Sequence, residues 1–256
     1  GVAVLMSLIF GRQMGDVACA WRLPYSPGRS AFAVWGLIFV WTLASAIAQL
    51  SVSLDFEHVY AAAAYNNYLE SLGFVAAGMW VLVFGCSRNE DARAGLVVSS
   101  TFLVSGTWCA IGACAQEHSW RGLEWQRIVW VGVPFALFAG WMLVACVMGV
   151  SIACLVLSGH PPDYRCYMDD ADARYNIFWP ASNADRNSWT SWVPLTLSVA
   201  VCAGALVLPD PVFPLPLAWA ILHMYGHPKN WIAVGLLLSV SVCAFGFAYF
   251  NVWRTN

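Results

Sequence analysis

Two histidines near the carboxyl end of the chain stand four residues apart, at His223 and His227. That spacing can place two imidazoles on one helix face, where they would bind a metal ion or the central ion of a tetrapyrrole. Gly226 and Pro228 flank His227, and such residues are typical of a helix end rather than of a continuous helix. His223 alone is therefore the better candidate for a tetrapyrrole axial ligand, since an ionisable group within a membrane span is a functional candidate.

Other reactive groups are few. Asp169, Asp170 and Asp172 lack the spaced oxygen ligands and the glycine turn of a calcium loop, so we expect a solvated loop there. The nine cysteines lie mostly in apolar runs without a CxxC pair, which indicates neither a disulfide framework nor a metal site. No GxSxG, HExxH, P-loop or dinucleotide motif occurs, and Glu70 at the edge of an apolar run is nearly the only carboxylate there. We predict that the protein is not an enzyme.

Aromatic side chains form the other candidate group. In PYSPGRSAFAVWGLIFVWTL, residues 24–43, a helix would place Phe32, Trp35 and Phe39 on one face. Rings on one face suit a planar partner, because stacking and a large buried area both favour it. The alternative is that the rings pack the core of a helical bundle or anchor it at the lipid interface. Both interpretations remain open from the residues alone.

The composition of the chain predicts which kind of secondary structure carries these residues. Of the 256 residues, 60% are hydrophobic and 10% are charged, and the mean hydropathy is +0.65. A helix needs about 20 mostly apolar residues to cross a bilayer, and the chain has several such runs. Strands with alternating polar positions are missing, so we predict an all-α, polytopic transmembrane bundle. A net charge of -2 leaves no basic stripe for a nucleic-acid partner.

Seven apolar runs follow a stub at residues 1–10. The run at Leu215–Gly226 is short and follows several prolines, so a re-entrant or steeply tilted segment is the alternative to a crossing there. A polar loop at residues 159–191 divides the predicted helical unit at 1–158 from C-terminal helices at 192–256. The predicted spans are Ser30–Leu54, Leu69–Cys86, Ala94–Ala115, Ile128–Leu157, Trp192–Leu208, Leu215–Gly226 and Trp231–Trp253.

Three stretches resemble the translocator-protein (TspO/MBR) family of tryptophan-rich membrane proteins. PYSPG at residues 24–28 with AFAVWGLI at 31–38 is similar to the family's signature opening segment. VPFALFAGW at 133–141 is similar to its final core helix, and AGMW at 77–80 falls where the family places a third-helix tryptophan. The order and spacing agree across residues 1–158, and the tail from Trp192 matches the added helices of the longer relatives.

The resemblance implies a five-helix unit plus two or three C-terminal helices, with a pocket between helices for flat hydrophobic ligands such as porphyrins and sterols. It implies no reaction. A tetrapyrrole (chlorophyll or haem) or a carotenoid is the candidate cofactor class, and we predict no metal site apart from such a group. The predicted ligand-binding residues are Phe32, Trp35, Phe39, Trp80, Phe138 and Trp141, with His223 as the candidate axial ligand.

Two positions depart from the family. The relatives have an asparagine before the third-helix tryptophan and another after the aromatic turn of the final core helix, where this chain has Ala77 and Gly149. A fixed ligand orientation needs placed polar groups, so their loss favours packing over binding. We therefore predict a non-catalytic scaffold or accessory subunit of a photosynthetic or respiratory membrane assembly that packs protein, lipid or pigment. The alternative is TspO-like binding or transport of a porphyrin, another tetrapyrrole or a sterol.

The expected setting follows from these functions. We predict a multi-pass protein of an organellar membrane, either the thylakoid or the mitochondrial inner membrane. The expected partners are the lipid bilayer and other membrane protein subunits, with no nucleic acid among them.

Overall fold

The long apolar runs form helices, because a helix satisfies every backbone polar group internally where water is absent. A computed structural model describes residues 21, 23, 31, 33–52, 60–87, 92–117, 128–159, 197–199, 201, 210–223 and 228–255. Every regular element within these residues is helical, which confirms the predicted all-α membrane bundle. Within the described residues, three stretches are long and apolar enough to cross a membrane: Tyr68–Cys86, Arg93–Ala115 and Val133–Leu157.

Six α-helices and one π-helical turn are seen in the described residues. Their bounds are close to the predicted runs, with one clear difference: the second helix begins at Tyr60 rather than at Leu69. Four alanines at 61–64 favour a helix there, while Asn66 and Asn67 lower the hydropathy on which the prediction was based. The elements are α1 Val34–Val52, α2 Tyr60–Cys86, α3 Ala92–Glu117, the π-helical turn Ile128–Gly132, α4 Val133–Leu157, α5 Leu215–Leu222 and α6 Pro228–Thr255.

Helix α4 has well-defined ends. The π-helical turn runs directly into it, and Pro134 occupies its first turn, where a missing N–H costs no hydrogen bond. After Leu157 the chain turns through Gly159, which has a φ of 76° and donates its N–H to the carbonyl of Val156. This left-handed glycine terminates the helix without the steric cost that a side chain would add.

Helix α5 is too short to cross a bilayer. Its 8 residues rise about 12 Å at 1.5 Å per residue. The described helix ends at Leu222, before the predicted limit at Gly226, and His223 follows as its C-cap. The re-entrant or tilted alternative predicted for this run therefore fits the described helix better than a full crossing does.

The helices pack in a simple order. α2 lies against α3, α3 lies against α4, and α1 lies against α4 and the π-helical turn. α5 lies between α4 and α6. Hydroxyl groups join α3 to α4: Ser100 Oγ donates to the carbonyl of Gly149 at 2.8 Å, and Thr107 Oγ1 to that of Met142 at 3.1 Å. Such bonds hold helices together where lipid removes the hydrophobic driving force.

Several sequence-based predictions lie outside the described residues. They are the stub at 1–10, most of the polar loop at 159–191 and most of the run at Trp192–Leu208, of which residues 197–199 and 201 are helical. The division of the chain into units at 1–158 and 192–256 stays a prediction.

Candidate functional site

Aromatic side chains from three helices meet between α1, α2 and α4. Each helix contributes rings three or four residues apart, and such residues lie on one helix face. Phe74 on α2 adds a ring that stacks on Phe138 of α4, with centroids 4.2 Å apart. We call the group the aromatic cluster; its members are Trp35 and Phe39 on α1, Phe74, Trp80 and Phe84 on α2, and Phe138 and Trp141 on α4.

Trp35 lies at the centre of the aromatic cluster. Its ring centroid is 5.1 Å from that of Phe39 and 6.2 Å from that of Trp80. The centroids of Phe138 and Trp141 are 6.4 Å and 6.2 Å away. All four distances fall within the roughly 4.5–7 Å range of favourable aromatic pairs. One side chain of α1 therefore contacts rings of both other helices.

The cluster is closed on one side and partly open on the other. Phe138 and Trp141 each keep 1% of their surface exposed and Trp80 keeps 5%, so these three rings are buried. Trp35 and Phe39 on α1 are only half-buried. A molecule approaching the rings would therefore meet the α1 side first.

Helices α1 and α2 meet through their side chains. In the described part of the chain, α1 makes its main backbone contacts with α4 and the π-helical turn rather than with α2. Trp35 and Trp80 bridge the two helices with their ring planes only 29° apart. The contact between α1 and α2 is thus made by two nearly parallel indole rings, and we call the place where these two rings meet the cleft.

Two polar atoms beside the cleft stand out. The indole Nε1 of Trp80 and the hydroxyl of Thr42 are buried and have no hydrogen-bond partner among the described residues. Thr42 follows Phe39 by three residues, on the ring-bearing face of α1. Two other polar side chains of α1 are satisfied: Trp41 Nε1 donates to the carbonyl of Val129 at 3.1 Å, and Ser45 Oγ donates to the carbonyl of Trp130. A buried donor left unpaired costs about 1–3 kcal/mol, so the Trp80 N–H calls for a physical explanation.

The structure brings together five of the six predicted ligand-binding residues. Trp35, Phe39, Trp80, Phe138 and Trp141 all belong to the aromatic cluster. The sixth, Phe32, lies outside the described residues. That these residues bind a ligand stays a prediction.

His223 lies apart from the aromatic cluster, at the end of α5. Its Nδ1 is 2.8 Å from the carbonyl oxygen of Trp219, and its ring lies 4.2 Å from that indole. A carbonyl only accepts, so this contact selects the tautomer with the proton on Nδ1, in which Nε2 has the lone pair that a metal would need. The described residues hold no group of three or more metal-binding side chains. Axial ligation by His223 stays a prediction.

Close packing surrounds both positions that depart from the family pattern. Ala77 is buried on α2. At Gly149 the backbone carbonyl accepts the hydrogen bond from Ser100, and a Cβ there would overlap the side chain of Leu103. The small residue lets α3 and α4 approach closely, so an asparagine side chain has no room at this position.

A comparison with family models gives one match. The model for TSPO-like protein matches residues 2–159. The chain belongs to this family. The resemblance predicted from the motifs is thereby confirmed, and the matched residues, here called the TSPO-like unit, contain the whole aromatic cluster. The protein is an integral membrane protein of the TspO type. No significant match to a curated protein or to a solved structure was found.

Sequence reasoning missed Asp210, a carboxylate buried to 2% exposure beyond the TSPO-like unit. Its Oδ1 accepts hydrogen bonds from the backbone N–H groups of Val212 and Phe213 at 2.7 Å and 3.0 Å. The thiol of Cys114 on α3 donates to Oδ2 at 3.7 Å. The available signal was an acid between prolines, in PDPVFPLP, directly before an apolar helix.

Proposed function

We propose that this TSPO-like protein binds a planar hydrophobic ligand in the cleft between α1 and α2. The observation that carries the proposal is the buried, unpaired N–H of Trp80 on a wall of that cleft. Ligand sites in proteins are mostly apolar surfaces with a few placed polar groups. The aromatic cluster supplies such a surface, and Trp80 supplies one polar group.

A flat ligand fits the physics of the cleft. Near-parallel indoles stack on both faces of a planar molecule, and each aromatic contact contributes about 0.5–1.5 kcal/mol. An acceptor at the ligand's edge that reached the Trp80 N–H would also relieve a penalty of about 1–3 kcal/mol. Trp35 and Trp80 stack directly on each other in this structure, so a ligand can enter between them only if α1 moves away from α2. We propose that the role is non-catalytic.

A binding titration with a metal-free porphyrin as the probe tests this function. Replacing Trp35 with Leu removes one of the two stacking rings, and the loss of this contact, about 0.5–1.5 kcal/mol, weakens binding about twofold to tenfold. The matched control is Trp108→Leu on α3, because the Trp108 side chain is 74% exposed and outside the aromatic cluster. Equal affinity in the wild type and in Trp35→Leu would exclude the cleft as the site.

The accessory-subunit function is a second candidate, and α6 favours it. Among the described elements, this helix makes its main contacts with α5, and it leaves several large apolar side chains exposed. These side chains suit a neighbouring transmembrane subunit as well as they suit lipid. They are Ile232, Leu236, Leu238, Val242 and Phe245.

Purification in mild detergent separates the two candidates. An accessory subunit of a thylakoid or mitochondrial assembly co-purifies with the same partner chains at near-integral stoichiometry. Introducing an arginine at Val242 would disrupt that association, because a charged group inside the bilayer carries a cost of about 2.5 kcal/mol or more. A monodisperse lone chain that binds the porphyrin would support the ligand-binding function instead.

A further inference from the structure

A segment outside the TSPO-like unit contacts that unit at three points. We call residues 210–223 the strap. At one end, Asp210 accepts a hydrogen bond from Cys114 of α3. In the middle, Gly140 of α4 lies directly under the strap, where a Cβ would overlap the Phe213 carbonyl. Near the other end, Trp219 Nε1 donates to the carbonyl of Ala31 at 3.0 Å. The strap thus bridges three parts of the unit.

The strap has a defined shape. The two backbone hydrogen bonds to Asp210 Oδ1 fix its first turn. Pro211, Pro214 and Pro216 restrict the backbone that follows, since each proline ring locks φ. Pro214 and Pro216 are buried, as are most side chains of α5 between α4 and α6. A movement of α5 is therefore transmitted to the Ala31 contact.

The Ala31 contact lies at the end of α1 that carries Trp35, the central ring of the aromatic cluster. Trp35 lies four residues, about one helical turn, after Ala31. The other side-chain bonds that hold α1 come later, where Trp41 donates to Val129 and Ser45 donates to the carbonyl of Trp130. α2 is not among the main backbone neighbours of α1 in the described part of the chain. Among the described residues, Trp219 is thus the polar tie nearest to Trp35.

We propose that the strap sets the width of the cleft between α1 and α2, with Trp219 as the positioning residue. While Trp219 holds the Ala31 carbonyl, Trp35 stays against Trp80 and the cleft is closed. Release of this tie lets the first turn of α1 move outward. The C-terminal extension would thereby regulate access to the site in the TSPO-like unit. The strap's control of ligand access rests on the proposed function, whereas its effect on the distance between α1 and α2 does not.

The width can be measured without a ligand. Genetically encoded spin labels at Leu37 and Met79 report the distance between α1 and α2, and both side chains are exposed, so the labels leave the core intact. Trp219→Phe keeps a ring but removes the donor. We expect the distance distribution to widen by about 2 Å, the scale of helix shifts in switching proteins.

The matched control is Trp41→Phe, which removes an indole-to-carbonyl bond of 3.1 Å from the same helix. We expect Trp41→Phe to leave the distribution of distances between the labels at positions 37 and 79 unchanged. An unchanged distribution in Trp219→Phe, or equal widening in Trp41→Phe, would overturn the strap's role. Gly140→Ala is a second variant because its Cβ would displace the strap at Phe213 while leaving the Trp219 side chain unchanged. Gly78→Ala is its control, since a Cβ there meets open space.

Ligand exchange gives a separate readout. In Trp219→Phe the association and dissociation rates of the porphyrin probe both rise about fivefold, the factor that corresponds to one net hydrogen bond. If no variant binds porphyrin while Trp219→Phe still widens the distance, the proposed function is wrong and the strap stands. If porphyrin binds to Trp219→Phe with the same association and dissociation rates as to the wild type, regulation of ligand access by the strap is refuted.

Discussion

Replacing Trp80 with Phe should weaken ligand binding without destabilising the empty protein. Trp80 is 5% exposed, and its indole N–H has no partner among the described residues. Loss of the five-membered ring leaves a small cavity, which costs about 1 kcal/mol at about 24 cal/mol per Å³. Removal of an unpaired buried donor raises the free energy of unfolding by about 1–3 kcal/mol. The two terms leave the variant as stable as the wild type, or up to about 2 kcal/mol more stable.

The same substitution at Trp41 serves as the comparison. Its Nε1 donates to the Val129 carbonyl, so Trp41→Phe loses a hydrogen bond in addition to ring volume. We expect a loss of about 1.5–2.5 kcal/mol from the cavity and bond terms together. Thermal unfolding in one detergent measures both variants. Equal destabilisation by the two substitutions would show that the Trp80 donor is satisfied in the native protein.

Ligand affinity supplies the second half of this prediction. A porphyrin with carboxylate side chains can accept from the Trp80 N–H, whereas an alkyl porphyrin without oxygen atoms lacks that acceptor. Trp80→Phe should weaken the first probe about tenfold, equivalent to about 1.4 kcal/mol, and leave the second within about twofold. An equal loss for both probes would mean that the ring matters and the N–H does not, and the reasoning from the unpaired donor would be refuted.

Three further substitutions test the packing of the bundle. Asp210→Ala should lower stability by about 1–3 kcal/mol by leaving two turn N–H groups without an acceptor, whereas Asp210→Asn keeps Oδ1 and should be milder; equal effects in unfolding assays would contradict this. Gly149→Asn should cost about 1–3 kcal/mol by overpacking against Leu103, and a neutral result would show that α3 and α4 can separate cheaply. Thr107→Val should cost about 0.6 kcal/mol through its bond to α4. Thr101→Val, whose hydroxyl bonds only its own helix, should cost less, and the reverse order would be inconsistent with an interhelical role.

Much of the aromatic cluster could be predicted from local spacing. Trp35 and Phe39 stand four residues apart, so any helix over that run places them on one face. Spacing cannot say which rings of other helices they meet. That part came from the family resemblance, which placed Trp80 and Trp141 in the core helices that surround α1.

The strap illustrates what the sequence could not provide. Asp210 lies in a proline-rich stretch that is typical of an exposed loop, yet it is buried and bonded to Cys114 of α3. The bond from Trp219 to Ala31 joins residues 188 positions apart. No periodicity reports a contact of that range, because hydrophobic patterns identify which face of a helix is buried and not its neighbour.

The position of a bound ligand tests the account most directly. In protein labelled with 5-fluorotryptophan, each of the 15 tryptophans gives a fluorine resonance that a single Trp→Phe variant assigns. Saturating porphyrin should shift the resonances of Trp35 and Trp80 most strongly and leave that of Trp108 in place. Porphyrin that binds while shifting only exposed tryptophans, with Trp35 and Trp80 unmoved, would contradict a ligand site between α1 and α2.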